Sequence, residues 1–153
     1  KLHSFINLCK ELLGIDGAAV QLKEDAFLSV CDLLIVFGHC GKAPGQAALA
    51  PLAFHPDRSM GELLNMFIQD HVFIDDEDEE IDDHQKIEEL HKRRNFLSSY
   101  CKLSIFNVLP TKTAADVLKH YVTFYNDYGD IIKVSTVNAT HIQNHLTQCF
   151  SIL

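Results

Sequence analysis

Leu22-Lys-Glu-Asp-Ala26-Phe27-Leu-Ser-Val30-Cys-Asp-Leu33-Leu34-Ile-Val-Phe37-Gly38 decides the fold class. Its apolar residues Leu22, Ala26, Phe27, Val30, Leu33, Leu34 and Phe37 recur at steps of three and four, with Lys23, Glu24, Asp25, Ser29 and Asp32 mostly opposite. That is the period of a helix with an apolar stripe, and Gly38 supplies the stop. Several helices along the chain share so wide an apolar face. Each must bury two sides, as the middle helices of stacked helical repeats do.

Upstream, Leu2, Phe5, Ile6, Cys9, Leu12 and Leu13 define a first helix that ends at Gly14, and Asp16-Gly17 makes the turn between the two. Downstream, Gly41, Pro44, Gly45, Pro51 and Pro56 exclude a long helix between 39 and 58, with room for a turn or two at Gln46 to Ala50. Ser59 and Glu62 have the spacing of a capping box, and Met60, Leu63, Leu64, Phe67, Ile68 and His71 then keep helical period. A fourth helix runs through Ile87, Leu90, Leu97, Cys101, Ile105 and Val108 until Pro110. Thr113 and Asp116 repeat the capping logic for a fifth, expected to extend through Tyr121, Phe124 and Tyr125 to a polar turn at Asn126 to Gly129. A sixth is expected from Asn138 or Thr140, through Ile142, His145, Leu146, Cys149 and Phe150. No alternation of period two lasts long enough for a strand, so the expected fold is all-α, built from antiparallel helix pairs. There is no fixed sequence period, so the repeat reading rests on helix pairing.

With 47% hydrophobic and 22% charged residues, neither disorder nor a fibre is indicated. No apolar run reaches the roughly 18 residues of a membrane span, and the first ten residues lack the zones of a signal peptide. A helical pattern starting at Lys1 suggests a piece of something longer. The formal charge of -8 belongs to one segment: Asp75, Asp76, Glu77, Asp78, Glu79, Glu80, Asp82 and Asp83 hold eight of the 21 acids, and the rest balance the 13 Lys and Arg. Like charges so dense repel, so residues 75–84 are expected to be a disordered, solvated loop. The five cysteines are scattered, without a Cys-x-x-Cys pair, which argues against a disulfide framework or zinc ribbon and for a reducing compartment.

Two segments are distinctive as strings: Ile87-Glu-Glu-Leu-His-Lys-Arg-Arg-Asn95 leading to Cys101-Lys102-Leu103, and Ala114-Ala-Asp116 through Lys119-His-Tyr121 to Tyr125-Asn-Asp-Tyr-Gly-Asp-Ile-Ile-Lys133. Together with Cys31-Asp32-Leu33 and Asp70-His-Val-Phe-Ile74, they resemble the stromalin (STAG, stromal antigen) family of cohesin subunits over residues 1 to 133. The resemblance implies a middle segment of a HEAT-repeat solenoid, occupying 1–153 as a single partial unit, nuclear and chromosome-associated. It further implies binding to the kleisin subunit of cohesin, indirect association with the SMC subunits of the ring, and assistance to DNA loading and sister-chromatid cohesion. Residues 134–153, rich in Ser, Thr, Asn, Gln and His, depart from the family pattern and read as a divergent terminal helix.

His91-Lys92-Arg93-Arg94 is the dense cationic string. Lys92, Arg93, Arg94 and Lys102, with Lys119 and His120 as extensions, are the candidate DNA contacts, set against the reading of a solvated helix face. The acidic run could compete for these cations and weaken nonspecific DNA binding. Asp127, Tyr128 and Asp130, expected exposed in the turn, are the candidate kleisin contacts, whereas Tyr121 and Tyr125, four apart, are expected in the core. Enzyme motifs are missing. His141 and His145 share a helix face but have Ile142 where a zinc protease has Glu, and there is no phosphate loop or nucleophile elbow. Asn138-Ala-Thr140 forms a glycosylation sequon. The reading is therefore a scaffold that is not an enzyme and has no cofactor, metal, small-molecule substrate or membrane partner. The rivals are a helical-repeat adaptor of another class, such as a nuclear transport receptor, and a metal hydrolase using His141 and His145.

Overall fold

The computed structural model describes residues 1–40, 45–74, 82–110 and 112–150, with side chains throughout except at 114 and 139–150. Six α-helices and one 3-10 helix, and no strand, are found among the described residues. The chain divides into two compact units, Lys1–Glu77 and Asp78–Leu153.

In the first unit, α1 (Leu2–Gly14) packs on α2 (Val20–Phe37) and on α3 (Arg58–His71). Gly17 turns the chain between α1 and α2 with φ 81°, a backbone conformation that costs glycine little. Ile6, Cys9 and Leu13 of α1 meet a core completed by Ala26, Phe27, Val30, Cys31 and Leu34 of α2 and Met60, Leu64, Phe67 and Ile68 of α3. The Phe27 and Phe67 rings stack at 4.2 Å and the His71 ring continues the pile at 4.3 Å from Phe67. Full burial of each such side chain contributes about 1.5–3 kcal/mol. The buried stripe of α2 is rotated from the expected one. Glu24 lies in line with Phe27, Cys31 and Leu34 at helical steps and is only 4% exposed, whereas Leu22 is 46% exposed. A 3-10 helix, Ala47–Leu52, stands where a short turn was expected, and the chain then returns to α2 through Phe54 N–H donating to the Phe37 carbonyl at 3.1 Å.

The start of α3 differs from expectation. Its N-cap is Asp57, whose carboxylate accepts from the Met60 N–H at 2.7 Å, while Ser59 is already inside the helix. Asp caps as well as Ser, and Asp57 stands in the same three-residue relation to Met60 that Ser59 has to Glu62. The Asp57 carboxylate also takes the Lys10 ammonium at 2.7 Å, tying α1 to the head of α3.

In the second unit, α4 (Asp83–Ile105) packs against α6 (Tyr125–Phe150), and α5 (Lys112–Leu118) bridges them. Of the acidic loop expected over 75–84, residues 75–81 lie outside the described residues, and 83–84 belong to α4. An acid in the first turn suits the positive end of the helix dipole, which is why Asp83 sits there. At the other end α4 stops at Ile105, before the expected Val108. Asn107 adopts φ 54°, its N–H donates to the Ser104 carbonyl at 3.0 Å, and Val108 N–H donates to the Leu103 carbonyl at 2.8 Å. That pair of bonds is a Schellman end, with asparagine in the left-handed position.

The largest correction concerns the fifth and sixth helices. Thr113 lies within α5 rather than capping it, α5 ends at Leu118, and residues 119–124 form turns. Asn126 to Gly129, expected to terminate a helix, instead begin α6, which continues through the separately expected start at Asn138 or Thr140. Asn and Asp favour helix beginnings as much as they disfavour interiors, and Asp127 in the first turn is placed for the dipole.

The two capping readings separate under mutation. Asp57→Ala is expected to lower stability to urea by about 1–2 kcal/mol, and Asp57→Asn by less, because the amide still caps. Ser59→Ala is expected to be neutral or slightly stabilising. Chemical unfolding of the three variants measures this, and a costly Ser59→Ala beside a silent Asp57→Ala would restore the Ser59 cap.

Candidate interaction site at the start of helix α6

The buried seam of the second unit is formed by Phe96, Leu97, Tyr100, Cys101 and Leu103 of α4, Val117 of α5, and Tyr128, Ile132 and Ser135 of α6. Small polar groups run along it. Ser135 Oγ donates to the Ile131 carbonyl at 2.6 Å and Thr136 Oγ1 to that of Ile132 at 2.8 Å. Burial pushes the Cys101 thiol up to about 11, against a weaker opposing effect of its hydrogen bond with Ser135. A thiol so protonated at neutral pH is a poor nucleophile and poor metal ligand. Among the described residues, Cys9, Cys31, Cys40 and Cys101 form no disulfide.

Outside the seam, Arg94 joins the two sets of candidate residues. The Arg94 guanidinium from the middle of α4 grips the Asp130 carboxylate with both Nη atoms, Nη1 to Oδ1 at 3.0 Å and Nη2 to Oδ2 at 2.5 Å. Nη1 also donates to the Asp127 carbonyl. The hydrogen bond from Arg94 holds the Asp130 carboxyl below the usual carboxylate range, slight burial opposing it, and Asp130 raises Arg94 in return. The pair is accessible, with side-chain exposures of 29% for Arg94 and 65% for Asp130.

The structure distributes the four cationic candidates differently from the string. Neighbouring residues point about 100° apart around a helix, so Lys92, Arg93, Arg94 and Lys102 are spread around α4 rather than gathered on one side. Lys92 pairs with Glu89 at 2.8 Å, and Lys119 with Asp116 at 2.6 Å. Arg93 is half-buried and Lys102 exposed. Arg94 and Lys102 fall about 80° apart on a strip that also carries the exposed His91 and borders the exposed Asn95, and Lys92 is equally far from Lys102 on its other side. His120, whose ring lies 6.2 Å from that of Phe124, is shifted down by burial and by Lys119, so it is mostly neutral near pH 7 and adds little charge.

Among the partner candidates, Asp127 and Asp130 are exposed, but Tyr128 is 2% exposed and belongs to the core. It faces inward because it lies four residues before Ile132 on the buried stripe of α6, not in a turn. The tyrosines expected in the core are more open: Tyr121 is half-buried and Tyr125 is 59% exposed, with rings edge to face at 5.4 Å. Val122, 86% exposed, and Leu118, 43% exposed, are close to Tyr125 in sequence, in the α5 to α6 junction. The side chains of His141 and His145 lie outside those described. No group of three or more His, Cys, Asp or Glu residues placed to hold a metal, and no helix long and apolar enough to cross a membrane, occurs among the described residues. The Arg94 to Asp130 contact, across 36 positions, was not foreseen, and nothing local in the sequence announces it.

No family model matches the chain. Curated relatives do: it is 43% identical over 159 residues to cohesin subunit SA-1 of Xenopus laevis, a match taking in 99% of this chain and 12% of that protein. It is 38% identical over 157 residues to human cohesin subunit SA-3, covering 100% of this chain and 12% of that one. Cohesin subunit scc-3 of Caenorhabditis elegans is 34% identical over 84% of this chain and 11% of its own length. The chain thus spans about an eighth of the length of these relatives.

The Arg94 pair has a pH signature. The folded pKa of Asp130 lies below its unfolded value near 4, so its stabilisation is complete above that pH and disappears as pH falls through the folded pKa. Denaturation of wild type and Asp130→Asn between pH 7 and pH 2 is expected to show profiles converging below about pH 4. Parallel profiles would show that the pair contributes nothing.

Proposed function

Because the chain belongs to the stromalin family of cohesin subunits, we propose that it is a non-enzymatic scaffold segment of a cohesin complex, part of a HEAT-like solenoid, nuclear and chromosome-associated. In this reading it holds the kleisin subunit through the exposed acidic beginning of α6, associates with the SMC subunits through the kleisin, and contacts DNA with the Arg94 and Lys102 strip. The observation that carries the reading is identity of 37–43% to SA-1 and SA-3 subunits across essentially the whole chain, joined to an all-helical architecture.

The physical basis at the site is a combination of charge and apolar surface. Asp127 and Asp130 present carboxylates close in sequence to the exposed Tyr125, Val122 and Leu118. An aromatic anchor beside acids suits a partner helix or strand that carries basic and apolar side chains. Of the two acids, Asp130 is engaged by Arg94, so Asp127 is the one better placed to receive a basic residue from the partner. A repeat scaffold binds with such assembled surface and needs no reactive group.

Crosslinking the chain to a kleisin fragment, with adducts mapped to residues, tests this. Crosslinks are expected to concentrate around 121–133, and Asp127→Lys to weaken retention at least about tenfold, since a misplaced like charge at an interface costs over a kcal/mol. Glu11→Lys, an equal charge change on α1, is expected to leave it unchanged. Retention of basic transport-signal peptides without kleisin binding would favour the nuclear transport adaptor instead.

A further inference from the structure

Asp130 places against Arg94 the same chemistry that a nucleic-acid backbone would bring: two coplanar anionic oxygens presented to the planar fork of a guanidinium. The pair lies at the protein surface, so a phosphate can reach Arg94 without opening the core. The Asp127 carbonyl accepts from the same Nη1, a backbone contact additional to the Asp130 carboxylate.

We propose that Asp130 is an intramolecular competitor for Arg94, so that the Arg94 and Lys102 strip of α4 takes nucleic-acid phosphate with its full charge only when the Asp130 carboxylate is displaced or neutralised. This rests on the DNA-contacting part of the function proposed above. It assigns to one folded, paired carboxylate the self-competition that the sequence suggested for the acidic run. It also couples the two surfaces: a basic side chain of a partner that draws off Asp130 releases Arg94, so the partner and the polyanion assist one another. By linkage the assistance is equal in both directions.

The test is titration of the chain into a short labelled DNA duplex at several salt concentrations, with circular dichroism confirming that each variant is folded. Asp130→Asn is expected to tighten binding roughly three- to tenfold and to steepen the salt dependence by about one phosphate contact. Arg94→Gln alone is expected to weaken binding, because it removes a cation of the strip and leaves the Asp130 carboxylate uncompensated beside it. The double variant Arg94→Gln with Asp130→Asn is expected to stay within about twofold of Arg94→Gln, so that the gain from Asp130→Asn is lost without Arg94, which is the coupling a mutant cycle isolates. Asp127→Asn removes the same charge without releasing Arg94 and is expected to tighten binding by less than about twofold. A gain that survives in the double variant, or an equal gain in Asp127→Asn, would be a general field effect and would overturn the proposal. Unchanged affinity in Asp130→Asn while Lys102→Gln weakens binding would also overturn it and leave the DNA-contacting strip standing. Indifference of DNA binding to Lys102→Gln, Arg94→Gln and Asp130→Asn alike would overturn the strip itself.

Discussion

The second unit depends on one packing relation: the C-terminal half of α4 buries Phe96, Leu97, Tyr100 and Leu103 in a core to which α6 brings Tyr128, Ile132 and Ser135. Because that seam fixes the rotation of α6 about its own axis, it decides what the rest of the helix shows to water. With Tyr128 and Ile132 turned inward, Asp127 and Asp130 stand at the boundary, and Asp130 comes within reach of Arg94. The charge contact is a consequence of the apolar one. An exposed pair contributes at most about 1 kcal/mol, less than the burial of a single large side chain in the seam. It refines the position of the first turn of α6 without creating it.

Period was the part of the fold most readable from residues. α1, α2 and α3 form where the three-four spacing placed them, since that spacing has few other solutions, and Gly14 and Gly38 mark the ends. Punctuation was harder. Ser59 and Asp57 are equally good caps by chemistry, and the one used, Asp57, is also bound by Lys10, 47 positions away. The string from Asn126 to Asp130 could stop a helix or start one, and choosing between them requires knowing that Tyr128 has a core to enter. Glu24 and Leu22 show the same limit within a helix whose existence was clear: a wide stripe leaves its centre undetermined by one or two positions, and tertiary packing fixes it.

The candidate site was legible in parts. The segments bearing Arg94 and Asp130 stood out, and they were nominated for different roles because their meeting is a property of the folded unit. Four cations in or near one string suggest a patch, yet successive positions on a helix diverge, and Lys92 and Arg94 lie on opposite sides of Lys102 at about 80° each. The matches to SA-1 and SA-3 take in the residues after Lys133 as well, covering 99% and 100% of the chain.

Gly129 occupies a turn of α6 directly under the ring of Tyr125, where an added β-carbon would come within 2.9 Å of the aromatic edge. A glycine inside a helix ordinarily sacrifices backbone order, about 1 kcal/mol relative to alanine. Here the missing methyl is a seat for the tyrosine, which otherwise would have to swing into solvent. Stiffening the helix and keeping that ring in place are opposed demands on a single atom, and this chain resolves them in favour of the aromatic.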